Sequence, residues 1–415
     1  MKHRIFLLCL LVLPVLMGCA LRAPELTEPP AVAVSGKTAE PATETPTEPA
    51  TEAPTQPEPT EPPDYVTSLL WDMTLRQKVG QLFIIHPDSL DPPPDPTEKC
   101  ATVCTPVMAD AMAQYPVGGI IMFRENIESA DQIRKFNADL QALAGIPLFL
   151  GIDEEGGLVA RLANHKAFDL PKYASAASVG RTGDPANALE MGRTIGAYLK
   201  EYGFNLDFAP VADVNTNPKN PVIGSRAFSS DPETAGQMAA AMAEGLREQG
   251  VIATFKHFPG HGDTAEDSHD NLAVSHKSVQ ELAQCEWISF SFATADDMIM
   301  LGHIALPQVL DDRTPASMSY QVVTGILREQ LDFEGLIITD SLEMGAITEL
   351  YTSADAAVSA IKAGCDLILM PDDLETAFEA VVSAYETGEL SQADLDATVE
   401  RILRFKERHG LFGIG

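Results

Sequence analysis

Residues 252–269 read Ile-Ala-Thr-Phe-Lys-His-Phe-Pro-Gly-His-Gly-Asp-Thr-Ala-Glu-Asp-Ser-His, an apolar run that passes directly into a charged loop. From Lys256 to His269 this loop holds three histidines, three acids and a lysine. No fold needs such a loop for stability, so the composition predicts an active site at the end of a buried strand. The same pattern, an apolar run followed by polar side chains, recurs along the chain and indicates the fold.

Short apolar runs of strand length occur eight times, separated by segments of helical periodicity. The runs are Gln81–Ile85, Gly119–Phe123, Pro147–Ile152, Asn205–Val211, Ile252–Phe255, Met298–Leu301, Leu336–Thr339 and Asp366–Met370. The helical segments include Ala130–Leu143, Pro185–Glu201, Pro232–Gln249, Val279–Phe292, Tyr320–Gln330, Ala354–Lys362 and Leu374–Thr387. Alternation of this kind requires parallel strands joined by right-handed crossovers.

Eight such units predict an α/β fold, a closed (β/α)8 barrel, in which Gln392–Arg408 supplies the eighth helix. An open doubly wound sheet is the alternative, but it usually has fewer strands and a switch point. Polar residues follow the carboxyl ends of the runs, which meet at the rim where barrel enzymes place catalytic groups. They are Asp153, Asp207, Asp213, Lys256, His257, His303 and Asp340.

The N-terminus has the pattern of an export signal over residues 1–18, with basic residues before an apolar run too short to span a membrane. Residues 16–19, Leu-Met-Gly-Cys, resemble the bacterial lipoprotein box, which predicts a lipid anchor on Cys19. An ordinary signal peptide is the alternative. We therefore expect an extracytoplasmic, membrane-anchored protein.

Residues 19–63 are mostly Pro, Thr, Glu and Ala and predict a disordered tether, which leaves residues 64–415 as a single catalytic domain. The net charge of −32 disfavours nucleic acid as a partner. We expect a monomer.

The cysteines of the folded part fall into two groups. Cys100 and Cys104 lie in a Pro-rich loop where an exported protein has room for a small disulfide ring, whereas Cys285 and Cys365 are expected to be buried thiols. No pair has the repeated short spacing of a zinc site.

Asp340 follows the apolar run Leu336–Thr339 and has two interpretations. It suits a helix N-cap, with Glu343 completing a capping box. It equally suits a nucleophile that attacks an anomeric carbon, which requires an ionised carboxylate opposite a proton donor.

The polar loop offers that proton donor. Asp267 precedes His269 by two residues, and an aspartate that orients one imidazole nitrogen leaves the other to give and recover a proton near neutral pH. The alternative is a solvated histidine with an incidental neighbour.

A metal site is a further alternative, because His257, His261 and His303 suit a metal-dependent barrel hydrolase. The first strand, however, ends in the single His86, where amidohydrolases carry a His-X-His pair.

Asp153, Arg161 and Arg226 are candidate ligands of sugar hydroxyls, since carboxylates and guanidinium groups accept or donate paired hydrogen bonds. Their alternative is a helix-start charge cluster with a surface salt bridge.

These motifs resemble those of family 3 glycoside hydrolases, in particular the bacterial β-N-acetylglucosaminidases. The motifs are Ile152–Gly157, Asp207–Val211, Ile223–Phe228, Lys256–His269 and Ile338–Ser341. The polar loop ends in the element Asp-Ser-His, residues 267–269, which related β-glucosidases lack. Leu158 departs from the arginine that the family often has there. The chain ends after its last helix, which resembles the single-domain form.

The resemblance implies a role for each matching residue. Asp340 is the implied nucleophile, and Asp267 with His269 the implied acid/base pair. The implied ligands of the terminal sugar are Asp153, Arg161, Arg226, Lys256 and His257, and His303 on the next strand is a further candidate.

The implied activity is exo-acting, retaining removal of β-linked N-acetylhexosamine from peptidoglycan fragments, including muropeptides, or from chitin oligosaccharides, with no metal or other cofactor. Two alternatives stay open. One is phosphorolysis, because a histidine repels phosphate less than a carboxylate does. The other is a lipoprotein that captures sugars without cleaving them.

Overall fold

The computed structural model describes residues 64–93, 100–265, 272–310 and 312–413. Eight parallel strands close into a barrel, in which the first strand pairs with both the second and the eighth. In chain order they are Phe83–Ile85, Gly119–Met122, Phe149–Ile152, Leu206–Asp207, Ile252–Phe258, Met298–Leu301, Leu336–Ser341 and Leu367–Leu369. The predicted (β/α)8 fold is confirmed.

Helices surround the barrel and return the chain to the next strand. After the successive strands come Pro106–Gln114, Ala130–Leu143, Pro185–Glu201, Pro232–Glu248, the pair Val279–Ala283 and Glu286–Phe290, the π-helix Gln321–Gln330, Ser353–Ala363 and Leu374–Glu386. Additional helices are Tyr65–Asp72, Leu75–Gly80, Ala176–Gly180, Gly345–Thr348 and Gln392–Arg408.

Two helix predictions were wrong. The helix after the first strand is Pro106–Gln114, which begins where Thr105 Oγ1 accepts from Met108 N at 3.1 Å, so Gln392–Arg408 is an additional helix and not the eighth of the repeat. The segment predicted as one helix over Val279–Phe292 is two, because Cys285 has non-helical backbone angles, φ −141° and ψ −85°.

A short hairpin after the third strand reaches toward the carboxyl rim. Its strands are Glu154–Gly156 and Val159–Ala160. Gly156 and Gly157 have φ of +78° and +73°, a conformation that glycine adopts without strain. A Cβ atom on Gly157 would also lie 2.8 Å from Ser175 Cα, so the turn has no room for a side chain.

Cys100, Cys104, Cys285 and Cys365 are free thiols; Cys365 is buried as predicted, whereas Cys285 is only partly buried. No helix within the described ranges is long and apolar enough to cross a membrane. The predicted signal, the anchor at Cys19 and the tether lie outside the described residues.

Candidate active site

A cavity of about 440 Å³ opens at the carboxyl ends of the strands. Its wall comes mainly from the ends of the second, third, fourth, fifth, seventh and eighth strands and the segments that follow them. The predicted site residues that line it are Asp153, Arg161, Arg226, Lys256, His257, His261 and Asp340. The barrel therefore brings together groups that are far apart in the chain.

Lys256 is the centre of an ion network in one wall. Its side chain is only 3% exposed, and Nζ lies 2.8 Å from Asp153 Oδ1 and 2.7 Å from Glu155 Oε1. Asp153 Oδ2 also lies 3.3 Å from Arg161 Nη2. Asp153 and Glu155 are two residues apart in extended chain, so both side chains project to the same side and reach one ammonium.

Glu155 is paired a second time, with Arg226. The guanidinium donates through Nε at 2.8 Å and Nη2 at 2.7 Å, while Nη1 donates to the carbonyl of Val222 at 3.2 Å. This bidentate pairing fixes the plane of the guanidinium. Arg226 lines the cavity, but two of its guanidinium N–H groups, which the sequence predicted to bind sugar hydroxyls, donate to Glu155 instead.

The charges of this network support one another. Burial raises the pKa of Glu155, but Arg226 and Lys256 outweigh burial and hold that pKa well below its usual range. Burial lowers the pKa of Lys256, and the carboxylates of Asp153 and Glu155 more than restore it. Glu155 and Lys256 are thus both charged at neutral pH.

Asp213 orients the two histidines that begin the polar loop. Its Oδ2 lies 2.7 Å from His257 Nδ1, and Oδ1 accepts from His261 N at 2.6 Å. Asp213 is fully buried and does not line the cavity, so it acts through the histidines. His261 Nδ1 contacts Thr264 Oγ1 at 2.7 Å, and burial lowers the pKa of that imidazole.

Asp340 is part of the seventh strand, and its carboxylate lines the cavity. The N-cap interpretation fails, because the next helix begins at Gly345 after Met344, and Asp340 Oδ1 accepts from Ser341 N at 2.8 Å. Burial raises the pKa of Asp340, yet the fields of His257 and His303, with smaller contributions, lower it overall. The carboxylate is thus ionised, as a nucleophile requires.

His303 lies behind the cavity wall rather than in it. It is fully buried, its Nε2 donates to the carbonyl of Ser341 at 2.9 Å, and its Nδ1 contacts Ser317 Oγ at 2.8 Å. Because these partners hold the ring beneath the Asp340 segment, we assign His303 a positioning role in place of the predicted contact with sugar.

Two buried acids lie below the ion network. Asp207 Oδ1 accepts from Glu154 N at 2.9 Å, and its Oδ2 has no hydrogen-bond partner among the described residues. Burial raises the pKa of Asp207 well above its usual value, which favours the protonated form. Glu154 points away from the cavity and accepts from Leu162 N, Ala163 N and Tyr198 Oη.

Asp267 and His269 lie outside the described residues. Within the described ranges, no group of three or more His, Cys, Asp or Glu side chains is arranged to hold a metal ion. The metal interpretation of His257, His261 and His303 gains no support from that arrangement, since His257 and His303 are engaged by Asp213, Ser317 and Ser341.

Sequence reasoning missed Glu155 and Glu343 as site residues, and it placed Asp213 at the rim without assigning it a role. Glu155 has a detectable signal, because three consecutive acids follow a buried strand, where a cation such as Lys256, within another apolar run, is needed to balance their charge. Glu343 was considered only as part of a capping box, although it lines the cavity.

A (β/α)8 barrel with an ionised carboxylate and a charge-paired wall at its carboxyl rim is the architecture of a barrel enzyme. The chain belongs to glycosyl hydrolase family 3: residues 74–405 match the model of its N terminal domain.

Two similar proteins are named as a β-hexosaminidase and a β-N-acetylglucosaminidase. The chain is 32% identical over 380 residues to "Beta-hexosaminidase A" of Pseudoalteromonas piscicida, covering 83% of this chain and 63% of that protein. A solved family 3 β-N-acetylglucosaminidase from Paenibacillus sp. str. FPU-7 is 36% identical with a TM-score of 0.74, covering 82% of this chain and 63% of that one. The chain thus spans somewhat less than two thirds of both.

A third similar structure has a different name. A β-glucoside phosphorylase, solved with 2FGlc bound, is 28% identical with a TM-score of 0.72, covering 84% of this chain and 61% of that one. The barrel is therefore similar to proteins named for hydrolysis and for phosphorolysis.

Proposed function

We propose that this protein is an exo-acting, retaining β-N-acetylhexosaminidase that removes terminal β-linked N-acetylhexosamine from chitin or peptidoglycan oligosaccharides. The observation that carries the proposal is the Asp340 carboxylate, which is held ionised in the wall of the cavity. Family membership and the relatives named hexosaminidase support the substrate class.

In the first step, an Asp340 oxygen attacks the anomeric carbon and the glycosidic C–O bond breaks. The leaving oxygen takes a proton from His269, whose other nitrogen Asp267 orients. In the second step, neutral His269 takes a proton from water, and the water oxygen displaces Asp340 from the anomeric carbon. The sugar leaves with its original β configuration, and both side chains return to their starting states.

The role of His269 is supported by the chain on either side of it. The fifth strand delivers Lys256, His257 and His261 to the cavity, and His269 follows His261 by eight residues along the same loop. After the loop, Ala273–Val274 pairs with Ile304–Ala305, which follows the sixth strand at the same rim. The loop that carries this donor therefore begins and ends at the rim on which the cavity opens.

The ion network would receive the terminal sugar. Asp153 and Arg161 line the cavity with oxygen and nitrogen atoms that suit hydroxyl groups, and Arg161 also stacks on Phe123, 5.4 Å from its ring centre. Lys256, His257 and Arg226 fix the positions of these groups or contribute donors of their own.

The test is hydrolysis of an aryl β-N-acetylglucosaminide, followed by trapping with a fluorinated substrate analogue. We expect aryl release, a β-configured product and a mass shift on the peptide that contains Asp340. Labelling of another residue, or inverted product, would overturn the mechanism. Hydrolysis that disappears in Asp340→Ala also rules out a lipoprotein that only captures sugars.

Phosphorolysis is the second candidate, and similarity to a solved β-glucoside phosphorylase favours it. In that case phosphate replaces water in the second step and yields a sugar 1-phosphate. Turnover in the presence of phosphate distinguishes the two: a sugar 1-phosphate product supports phosphorolysis, whereas an unchanged rate with free sugar alone excludes it.

We also propose that residues 64–415 act as one catalytic domain held outside the cytoplasm by lipid on Cys19, through the tether of residues 19–63. Replacement of Cys19 by serine should release the protein from membranes without loss of activity. Membrane association that survives this substitution would contradict the anchor.

A further inference from the structure

The Arg and Lys side chains that line the cavity are all ion-paired with carboxylates. Two lining carboxylates, by contrast, form no ion pair with a described cation. Arg161, Lys256 and Arg226 are each ion-paired with Asp153 or Glu155. Among the described residues, no Lys, Arg or His forms an ion pair with the other two lining acids, Asp340 and Glu343. The cavity thus has a surplus of negative charge.

The two uncommitted acids lie at different depths. Asp340 lies in the seventh strand, one residue before its end, whereas Glu343 is exposed on the segment before the helix Gly345–Thr348. Its backbone N–H donates to Ser341 Oγ at 3.3 Å, which ties this segment to the end of the strand. Glu343 therefore contributes its charge at the mouth of the cavity.

Charged groups near Glu343 act on its pKa in both directions. Partial loss of hydration raises that pKa, the field of His86 lowers it, and the smaller fields of Asp372 and Asp88 raise it. His86 lies 3.2 Å from Asp88, so the imidazole that faces Glu343 is itself matched to an acid.

We propose that Glu343 is a specificity-determining residue, which makes this site prefer neutral leaving sugars over leaving sugars that carry a carboxylate. The inference rests on the proposed function. An exo-acting enzyme holds the terminal sugar beside Asp340, so the leaving sugar extends toward the mouth and meets Glu343.

The substrate class follows from the chemistry of the leaving sugar. N-acetylglucosamine, as in chitin oligosaccharides, brings no charge. The same sugar with a 3-O-lactyl ether, as in peptidoglycan, brings a carboxylate to a cavity whose lining Arg and Lys side chains are all ion-paired. Like charges about 7 Å apart in a partly hydrated cleft disfavour binding by about three- to tenfold. Chitin-type oligosaccharides are therefore the favoured substrates.

The experiment compares two disaccharides that differ in one charge. Both have a terminal β-linked N-acetylglucosamine on the lactyl-ether sugar, one as the free acid and the other as the methyl ester, so size is nearly equal. The ratio of kcat/KM for acid to ester is measured in the full chain at low and high salt. Because the ratio is taken within each variant, changes in overall rate cancel.

We expect a wild-type ratio of about one third to one tenth, which rises toward one in Glu343→Gln and in high salt. Glu343→Asp keeps the charge and should retain the low ratio. Glu349→Gln is the matched control, since Glu349 is exposed just after the same helix but does not line the cavity. That control should retain the low ratio too.

A wild-type ratio of one or more, or a ratio that Glu343→Gln leaves unchanged, overturns the inference. Those results leave the proposed function intact as long as the ester is hydrolysed. Failure to cleave the ester, the acid and an aryl β-N-acetylglucosaminide alike would instead overturn the proposed function.

Discussion

Lys256 and Lys406 are both buried in this barrel, at opposite ends, and their surroundings differ in charge. At the carboxyl rim, Lys256 contacts the carboxylates of Asp153 and Glu155. At the amino ends of the strands, Lys406 is fully buried and donates to Gln81 Oε1 at 2.8 Å and to the carbonyl of Gly118 at 3.0 Å.

The pKa values follow the partners. Carboxylates keep the pKa of Lys256 raised in spite of burial, whereas burial among neutral acceptors lowers the pKa of Lys406 to about 7. A neutral amine has two N–H groups, which is the number that Gln81 and Gly118 accept. The carboxylates at the rim thus keep Lys256 charged, whereas the neutral acceptors at the amino end leave Lys406 about half charged near pH 7.

The largest expected effect separates the chemistry of the rim from its structure. Asp340→Asn replaces the ionised nucleophile by a neutral group of the same shape, and we expect kcat to fall by about 10⁴-fold or more. Because the pKa of Asp340 is lowered in the folded state, its charge favours folding, so we expect a small fall in the free energy of unfolding beside the large fall in kcat. Steady-state kinetics and urea unfolding of the same sample measure both. Activity within tenfold of wild type would show that Asp340 is not the nucleophile.

The second prediction removes the charge from the rim lysine. Lys256→Met leaves Asp153 and Glu155 without their shared cation, and breaking a buried pair costs about 3–5 kcal/mol. We expect a loss of stability of that size in urea unfolding, together with loss of activity. Lys256→Met/Glu155→Gln should regain part of the stability but none of the activity. A single variant as stable as wild type would show that the network is not coupled.

The sequence predicts the barrel well because each strand is a buried run and each rim residue directly follows one. Asp153, Lys256 and Asp340 were identified for that reason, and all line the cavity. The helix Pro106–Gln114 was not predicted, because it begins in a Pro-rich segment without clear helical periodicity.

The sequence does not show which side chains pair with each other across the barrel. Glu155 meets Arg226 across 71 residues, and Asp213 meets His257 across 44, so neither contact has a local signature. His303 follows a strand like the other site residues, but its side chain turns toward Ser317, and no pattern of polarity distinguishes that orientation.

The third prediction concerns the lysine at the amino end. Because the pKa of Lys406 is about 7 in the folded state and 10.5 as the ordinary value, the unfolded chain binds a proton that the folded chain lacks between these pH values. Stability should therefore rise with pH in that window, by about 1.4 kcal/mol per pH unit from this group.

Lys406→Met should lose that slope while retaining activity. Urea unfolding at pH 7, 8 and 9 provides the measurement, and Lys135→Met, at an exposed lysine, is the control that should keep the wild-type slope. Equal slopes in wild type and Lys406→Met would show that Lys406 is charged in the folded protein, and that the two ends of the barrel do not differ as argued.

The smallest expected effect tests the acid beneath the rim. Because burial raises the pKa of Asp207 and favours its protonated form, Asp207→Asn supplies the same acceptor to Glu154 N without a titrating proton. Since the folded pKa is raised, the wild-type contribution to stability is full below about pH 4 and declines as pH rises, and the Asn variant should be as stable as wild type or more so at pH 7.

Asp207→Ala is the matched comparison, because it leaves the buried N–H of Glu154 without an acceptor at a cost of about 1–3 kcal/mol. That N–H lies between Asp153 and Glu155, so the Ala variant should also raise KM for an aryl β-N-acetylglucosaminide, whereas the Asn variant keeps KM within about twofold, because one neutral hydrogen bond is preserved. If Asp207→Asn raises KM as strongly as Asp207→Ala, then Asp207 supports the site as an ionised carboxylate and is not a neutral group beneath the ion network.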